Sequence, residues 1–196
     1  MHAKIYLNTT VVNDLSWLAS IIPWSIGVWF VNVSFWENKS ADFILWTDAS
    51  TKYAISFVYA GNSFVYQLNP TTGAEKVDIF FLELLAILSA IHHIVYFNHP
   101  HHCILLWIDS LNSVAIINKL SADETMHKSV LMALAGLILQ SRIDLRVWHI
   151  EGKKNIRANY LFQLLFDDYH EQFPSDQVCT FSPPRDLLLA RWNKSF

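Results

Sequence analysis

Two features are scarce in this chain of 196 residues: cysteine and charge. It has only two cysteines, Cys103 and Cys179. Two cysteines make no disulfide framework, and a reducing intracellular setting is the expectation. Charged residues make up only 16% against 53% hydrophobic, a balance that excludes extended disorder and supports a sizeable core. No basic excess is present. The net charge of −3 argues against tight free-standing nucleic-acid binding, though a site that meets nucleic acid through bound cations stays open. Met1 to Thr10 lacks the basic-then-apolar pattern of a secretory signal, so the chain is expected not to be secreted. The greasiest stretch, Ile79 to Phe97, is interrupted by Glu83, His92 and His93, so a buried helix is expected there rather than a membrane span. There is no internal repeat and no low-complexity tract.

Hydrophobic patterning supplies the elements. Residues 1–40 are rich in Trp and Val and broken at Pro23; Asp14 to Ile22 suits a short helix and Gly27 to Trp36 a strand. Phe43 to Trp46 is an apolar run ending in Thr47-Asp48-Ala49. Tyr53 to Ala60 and Phe64 to Leu68 are β-rich runs around Gly61-Asn62, which predicts a hairpin. Val77 to Phe97 is too long for a strand and reads as helix. Cys103 to Ile108 is a strand ending at Asp109. Ser110 to Leu120, capped by Ser110, and Thr125 to Gln140 read as helices. Asp144 to Ile150 alternates as a strand, and Asn155 to Phe166 closes as a helix. From Asp167 the chain turns polar and proline-bearing, and an extended tail is expected. Three strands followed by helix-separated strands predict an α/β fold with a mixed sheet flanked by helices.

Three acids stand out by position. Asp48 and Asp109 end apolar strands, and Glu83 lies inside the greasiest helix. Each position also admits an ordinary reading, as a turn former, a helix cap or a narrow polar face. Together they can converge, because ligands gather at the carboxyl ends of strands in open sheets. An all-oxygen set favours Mg²⁺ or Mn²⁺ over zinc. Two such ions would hold a scissile phosphate, activate a water and neutralise a leaving oxygen. His92, His93, His99, His101 and His102 cluster without a cysteine pattern, and His101 and His102 are expected to be exposed and metal-free.

The segments Trp46-Thr47-Asp48-Ala49-Ser50, Phe81-Leu82-Glu83-Leu84-Leu85-Ala86-Ile87 and Leu106-Trp107-Ile108-Asp109-Ser110 resemble the first three acidic motifs of the RNase H family. Trp148-His149-Ile150-Glu151-Gly152-Lys153-Lys154-Asn155-Ile156-Arg157-Ala158-Asn159 resembles the fourth, in the form found in gypsy-like and related retrotransposons. The resemblance covers about Phe43 to Phe166. It implies a five-stranded mixed sheet, three antiparallel strands then parallel ones, and a domain over 41–167. Residues 1–40 resemble the linker after the polymerase part of a reverse transcriptase, and 168–196 are left as a C-terminal tail. It further implies a metal-dependent endoribonuclease cutting the RNA strand of RNA–DNA hybrids. Asp48, Glu83, Asp109 and Asn159 would hold two Mg²⁺ (or Mn²⁺) ions, with His149 assisting. Ser50, Ser110, Lys153, Lys154, Asn155 and Arg157 would lie along the nucleic acid. The family has Asp where this chain has Asn159, so the second ion is expected to be held more weakly. The alternative is a catalytically inactive nucleic-acid-binding or structural module, a relic of a retrotransposon polyprotein. Possible partners are a nucleic acid and a polymerase part; no membrane is expected.

Overall fold

A computed structural model describes residues 8–23, 36–68, 77–97 and 103–188. The chain divides into two units, residues 1–35 and 36–196. In the first, α1 spans Thr9–Ile21 and is capped by Asn8, whose side chain accepts from the Val11 N–H at 2.9 Å. The strand expected over Gly27 to Trp36 falls almost wholly outside the described residues.

The second unit holds a six-stranded sheet in which the strands lie in the order Asp144–His149 (β5), Cys103–Ile108 (β4), Phe43–Ala49 (β1), Ala54–Tyr59 (β2), Asn62–Gln67 (β3) and Gln177–Thr180 (β6). β1 (Phe43–Ala49), β2 (Ala54–Tyr59) and β3 (Asn62–Gln67) form an antiparallel meander. Its second turn is a two-residue connection, Ala60-Gly61, with φ of 49° and 74°. Positive φ at both positions matches the twist of flanking strands, and glycine takes it without a Cβ penalty. The turn sits one residue earlier than the sequence suggests, with Tyr59 opposite Asn62. β4 (Cys103–Ile108) runs parallel to β1, and β5 (Asp144–His149) runs parallel to β4.

Helix α2 (Ile79–Phe97) is long and apolar enough to cross a bilayer by length and composition, yet eleven of its residues are buried within this fold. Leu45, Ile55, Phe57, Leu106 and Ile108 of the sheet share one core with Phe81, Leu85, Leu88 and Ile91 of α2. Helices α3 (Leu111–Lys119) and α4 (Thr125–Ser141) add Ile117, Val130, Leu134 and Leu137 to it. α5 (Ile156–Phe162) packs on β1, β2 and β3.

The structure departs from the expected five strands at the C-terminal end. Where a tail is expected, α6 (Phe166–Gln172) is followed by β6 (Gln177–Thr180), which pairs in parallel with β3 from Asn62↔Gln177 to Val65↔Thr180. β6 is four residues long and largely exposed, so no alternation in sequence announces it. A buried polar hub ties this segment down. Tyr169 is fully buried, its hydroxyl shares a short hydrogen bond with Ser63 and donates to Asp176 Oδ2 at 2.7 Å. Burial pushes the Tyr169 phenol up to about 12. Arg157 Nε donates to the same Asp176 oxygen at 2.7 Å and its guanidinium lies over the Phe173 ring.

This hub predicts that Tyr169→Ala costs about 3–5 kcal/mol of folding stability, the range for losing a fully buried aromatic ring. Urea unfolding measures it; a loss below about 1 kcal/mol would show that α6 and β6 are only loosely attached.

Candidate metal centre and nucleic-acid interface

The register between β1 and β4 brings the first two acids together. Trp46 stands opposite Trp107, so two residues further on Asp48 and Asp109 leave the same end of a parallel pair. Glu83, in the second turn of α2, covers that end. Asp48, Glu83 and Asp109 line one small cleft with Thr47, Ser110 and Ser113.

Each acid is held by local chemistry. Asp48 is buried; its Oδ1 accepts from the Ala49 N–H at 2.8 Å and its Oδ2 from Asn155 Nδ2 at 3.3 Å. Glu83 Oε2 accepts from Ser113 Oγ at 2.7 Å. Ser113 Oγ also lies 3.0 Å from Ser110 Oγ, close enough to accept its hydroxyl proton, and Ser110 caps α3 by accepting from the Ser113 N–H. Sequence reading did not single out Ser113; its spacing of three from Ser110, on the first turn of a capped helix, was the available signal.

The electrostatics follow from this crowding. Burial pushes the Asp48 carboxyl up to about 8, and the neighbouring Asp109 and Glu83 charges add to the shift, against a hydrogen bond from Ala49. Asp109 is also raised above the usual carboxylate range by burial, while nearby His149 pulls the other way. A buried set of acids that resists ionising together is relieved by a proton or by a cation.

The fourth motif lies beside this cleft. His149 ends β5, exposed, level with Ile108 of β4. Gly152 follows, so close to Asp109 that a Cβ there would stand 3.2 Å from Oδ2. Asn155 is buried; its Nδ2 donates to the Thr47 carbonyl at 3.0 Å as well as to Asp48, while its Oδ1 is buried without a partner among the described residues. Asn159 is not among the residues lining the cleft. Its Nδ2 donates to the Gly152 carbonyl at 2.7 Å, closing the turn between β5 and α5.

The expected nucleic-acid contacts divide. Lys153 and Lys154 are exposed on a 3₁₀ turn, Lys154 3.3 Å from Glu151. Ser50 lies half-buried at the end of β1, its hydroxyl accepting from the Lys52 N–H at 3.2 Å. Ser110 and Asn155 support the acids, and Arg157 is engaged by Asp176. Of the clustered histidines, His92 and His93 are half-buried, their pKa lowered by burial, and His93 packs on Phe64 with ring centres 4.3 Å apart. His99, His101 and His102 lie outside the described residues. Neither cysteine forms a disulfide.

No protein-family model matches the chain, and no curated protein matches it either. Solved structures do. LC11-RNase H1, isolated from compost by a metagenomic approach and solved with an RNA/DNA hybrid, is 20% identical, with a TM-score of 0.54 over 65% of this chain and 98% of that one. RNase H1 from the halophilic archaeon Halobacterium salinarum NRC-1 is 15% identical, with a TM-score of 0.49 over 64% of this chain and 98% of that one. The LC11 likeness and the sheet order give this chain an RNase H-like fold.

The raised Asp48 pKa yields a stability prediction. The folded, cation-free protein keeps a proton that the unfolded chain releases above pH 3.8, so stability is full below that value and falls as pH climbs to about 8. The slope should approach about 1.4 kcal/mol per pH unit. Asp48→Asn should flatten that slope and stabilise the chelator-treated protein at pH 8. Urea unfolding from pH 4 to 8 measures both, and an Asp48→Asn protein that keeps the full slope would contradict the reading.

Proposed function

We propose that this protein is a metal-dependent endoribonuclease acting on the RNA strand of RNA–DNA hybrids, weakened by Asn159. The observation that carries the reading is the cleft shared by Asp48, Glu83 and Asp109, with Asp48 pushed up to about 8. Three convergent carboxylates and no sulfur or nitrogen donor suit Mg²⁺ or Mn²⁺. Asp48, Glu83 and Asp109 would hold the cations, and bound cations would supply an activated water and stabilise the leaving oxygen.

This chain's own residues have distinct tasks in that reading. Asn155 and the Ala49 N–H fix the two Asp48 oxygens, and Ser113 fixes Glu83. His149, exposed and near Asp109, would assist beside the cleft. Lys153 and Lys154 would meet phosphates from the neighbouring turn. A retroelement origin, an intracellular location and a polymerase part as partner belong to the same proposal. The first and last rest on the spacing from His149 to Asn159 and on the sequence of residues 1–40, and the location rests on the scarcity of cysteine.

The alternative, an inactive nucleic-acid-binding or structural module, is favoured by one contact. The Asn159 amide is spent on Gly152, and it brings no negative charge to offset a second cation.

Two outcomes test the proposal. Purified protein with Mg²⁺, and then Mn²⁺, should cut a labelled RNA–DNA hybrid slowly, and Asp109→Asn should abolish cutting. Loss of the Asn159 amide donor removes one hydrogen bond, so Asn159→Asp should cost about 1 kcal/mol of stability. It should also raise hybrid cleavage about tenfold or more, since one added carboxylate charge in a partly buried site exceeds about 1.4 kcal/mol. A folded Asn159→Asp protein that cuts nothing in either metal hands the case to the inactive module.

A further inference from the structure

We propose that Asp78, Glu124 and His127 form a second cation site, one that takes Zn²⁺ and clamps the start of α4 to the start of α2. It shares no residue with the acidic cleft and does not depend on the proposed nuclease activity.

Three separate positions supply the donors. Asp78 precedes α2 and caps it, its Oδ1 accepting from the Phe81 N–H at 2.7 Å. Glu124 directly precedes α4, and His127 lies in that helix's first turn. One donor atom from each residue lies within 4.8 Å of one from each of the others. His127 is the rigid member: its side chain is only 8% exposed, and Phe80 packs edge-on against the ring.

The two ring nitrogens are unequally used. Nε2 lies 3.0 and 3.1 Å from the two oxygens of Asp78. Nδ1 has no hydrogen-bond partner among the described residues; its neighbour is Glu124 Oε2, at 3.9 Å, beyond hydrogen-bond reach. The ion would sit on Nε2, in place of the proton that this nitrogen shares with Asp78, with a Glu124 oxygen as the third donor. Two ligands at about 2.1 Å from a tetrahedral ion are about 3.4 Å apart, close to the 3.0 Å between Nε2 and Asp78 Oδ2. Asp78 is already in place, and the exposed Glu124 carboxylate can swing the remaining distance. Mixed nitrogen and oxygen donors select Zn²⁺ over Mg²⁺, the reverse of the cleft's preference. Three protein ligands leave a fourth place for water, so the site is open on its solvent side.

The test is calorimetric titration of the chelator-treated, full-length protein with ZnCl₂, alongside thermal unfolding. One equivalent should bind, and zinc at a hundredfold excess over Kd should raise the unfolding midpoint by about 5–10 °C. Glu124→Gln and His127→Gln should each weaken that binding at least tenfold. A variant with His99, His101 and His102 all changed to Ala should keep it. Glu124 is on the surface, so Glu124→Gln decides the matter even where His127→Gln disturbs folding. Failure to take up zinc, uptake undiminished in Glu124→Gln, or loss of uptake in the triple histidine variant would each overturn the proposal. None of these outcomes bears on hybrid cleavage.

Discussion

The parallel, in-register pairing of β1 with β4 is the constraint on which the rest depends. It sets Asp48 beside Asp109 at one end of the sheet, where two like charges in a buried setting repel. Hydrogen bonds from the Ala49 N–H and Asn155 to Asp48 offset only part of that repulsion in the absence of a cation. The arrangement is sustained by the apolar layer beneath, where Leu45 and Leu106 of the same two strands meet Leu85 and Ile91 of α2. Hydrophobic burial is non-directional and large, so it can hold a small polar cluster in an unfavourable state. Glu83 shows the same trade within one helix: it is only half-buried while residues on both sides of it are fully so.

A second dependence runs from the C-terminal segment back to these acids. Asp176 holds Arg157 of α5, and the Ala158 carbonyl accepts from Ser56 of β2, which is itself opposite Asp48. α5 is thereby seated on the sheet, and the residue before it, Asn155, reaches Thr47 and Asp48. The chain past Asp167 is therefore part of what orders the cleft, through contacts that span about a hundred positions. Arg157 illustrates the consequence. Its neighbours in sequence suggest a phosphate contact, whereas in the fold its guanidinium is committed to Asp176 and Phe173.

Most of the sheet and all the long helices were legible because their apolar periodicity is strong: α2 is nearly continuous hydrophobic sequence, and β4 is an unbroken apolar run before Asp109. The convergence of Asp48 and Asp109 was legible too, since both close such runs. Three things were not. β6 is short and mostly exposed, and what makes it a strand is the free edge of β3, which no local pattern encodes. The roles of Ser113 and Asn155 as supports for Glu83 and Asp48 are tertiary facts with no signal beyond spacing. The pairing of His127 with Asp78 joins positions 49 apart, which only the packing of α4 on α2 brings together.

Asn159 is where these threads meet. Its amide does something a carboxylate cannot, donating to the Gly152 carbonyl. Gly152 in turn lies so close to Asp109 that a Cβ there would crowd its carboxylate. Exchanging a carboxylate for an amide at this position therefore changes two things at once. It withholds the negative charge that a carboxylate would bring beside Gly152, the residue next to Asp109. It also adds a donor that closes the turn between His149 and α5. The hydrogen bond stabilises the cation-free fold, and under the proposed function both features would work against loading a second ion, since the charge to offset it is missing and the side chain is already engaged. On these grounds the substitution favours a fold that stands well by itself over one tuned for catalysis, a trade of the kind expected where a buried charged site and stability compete.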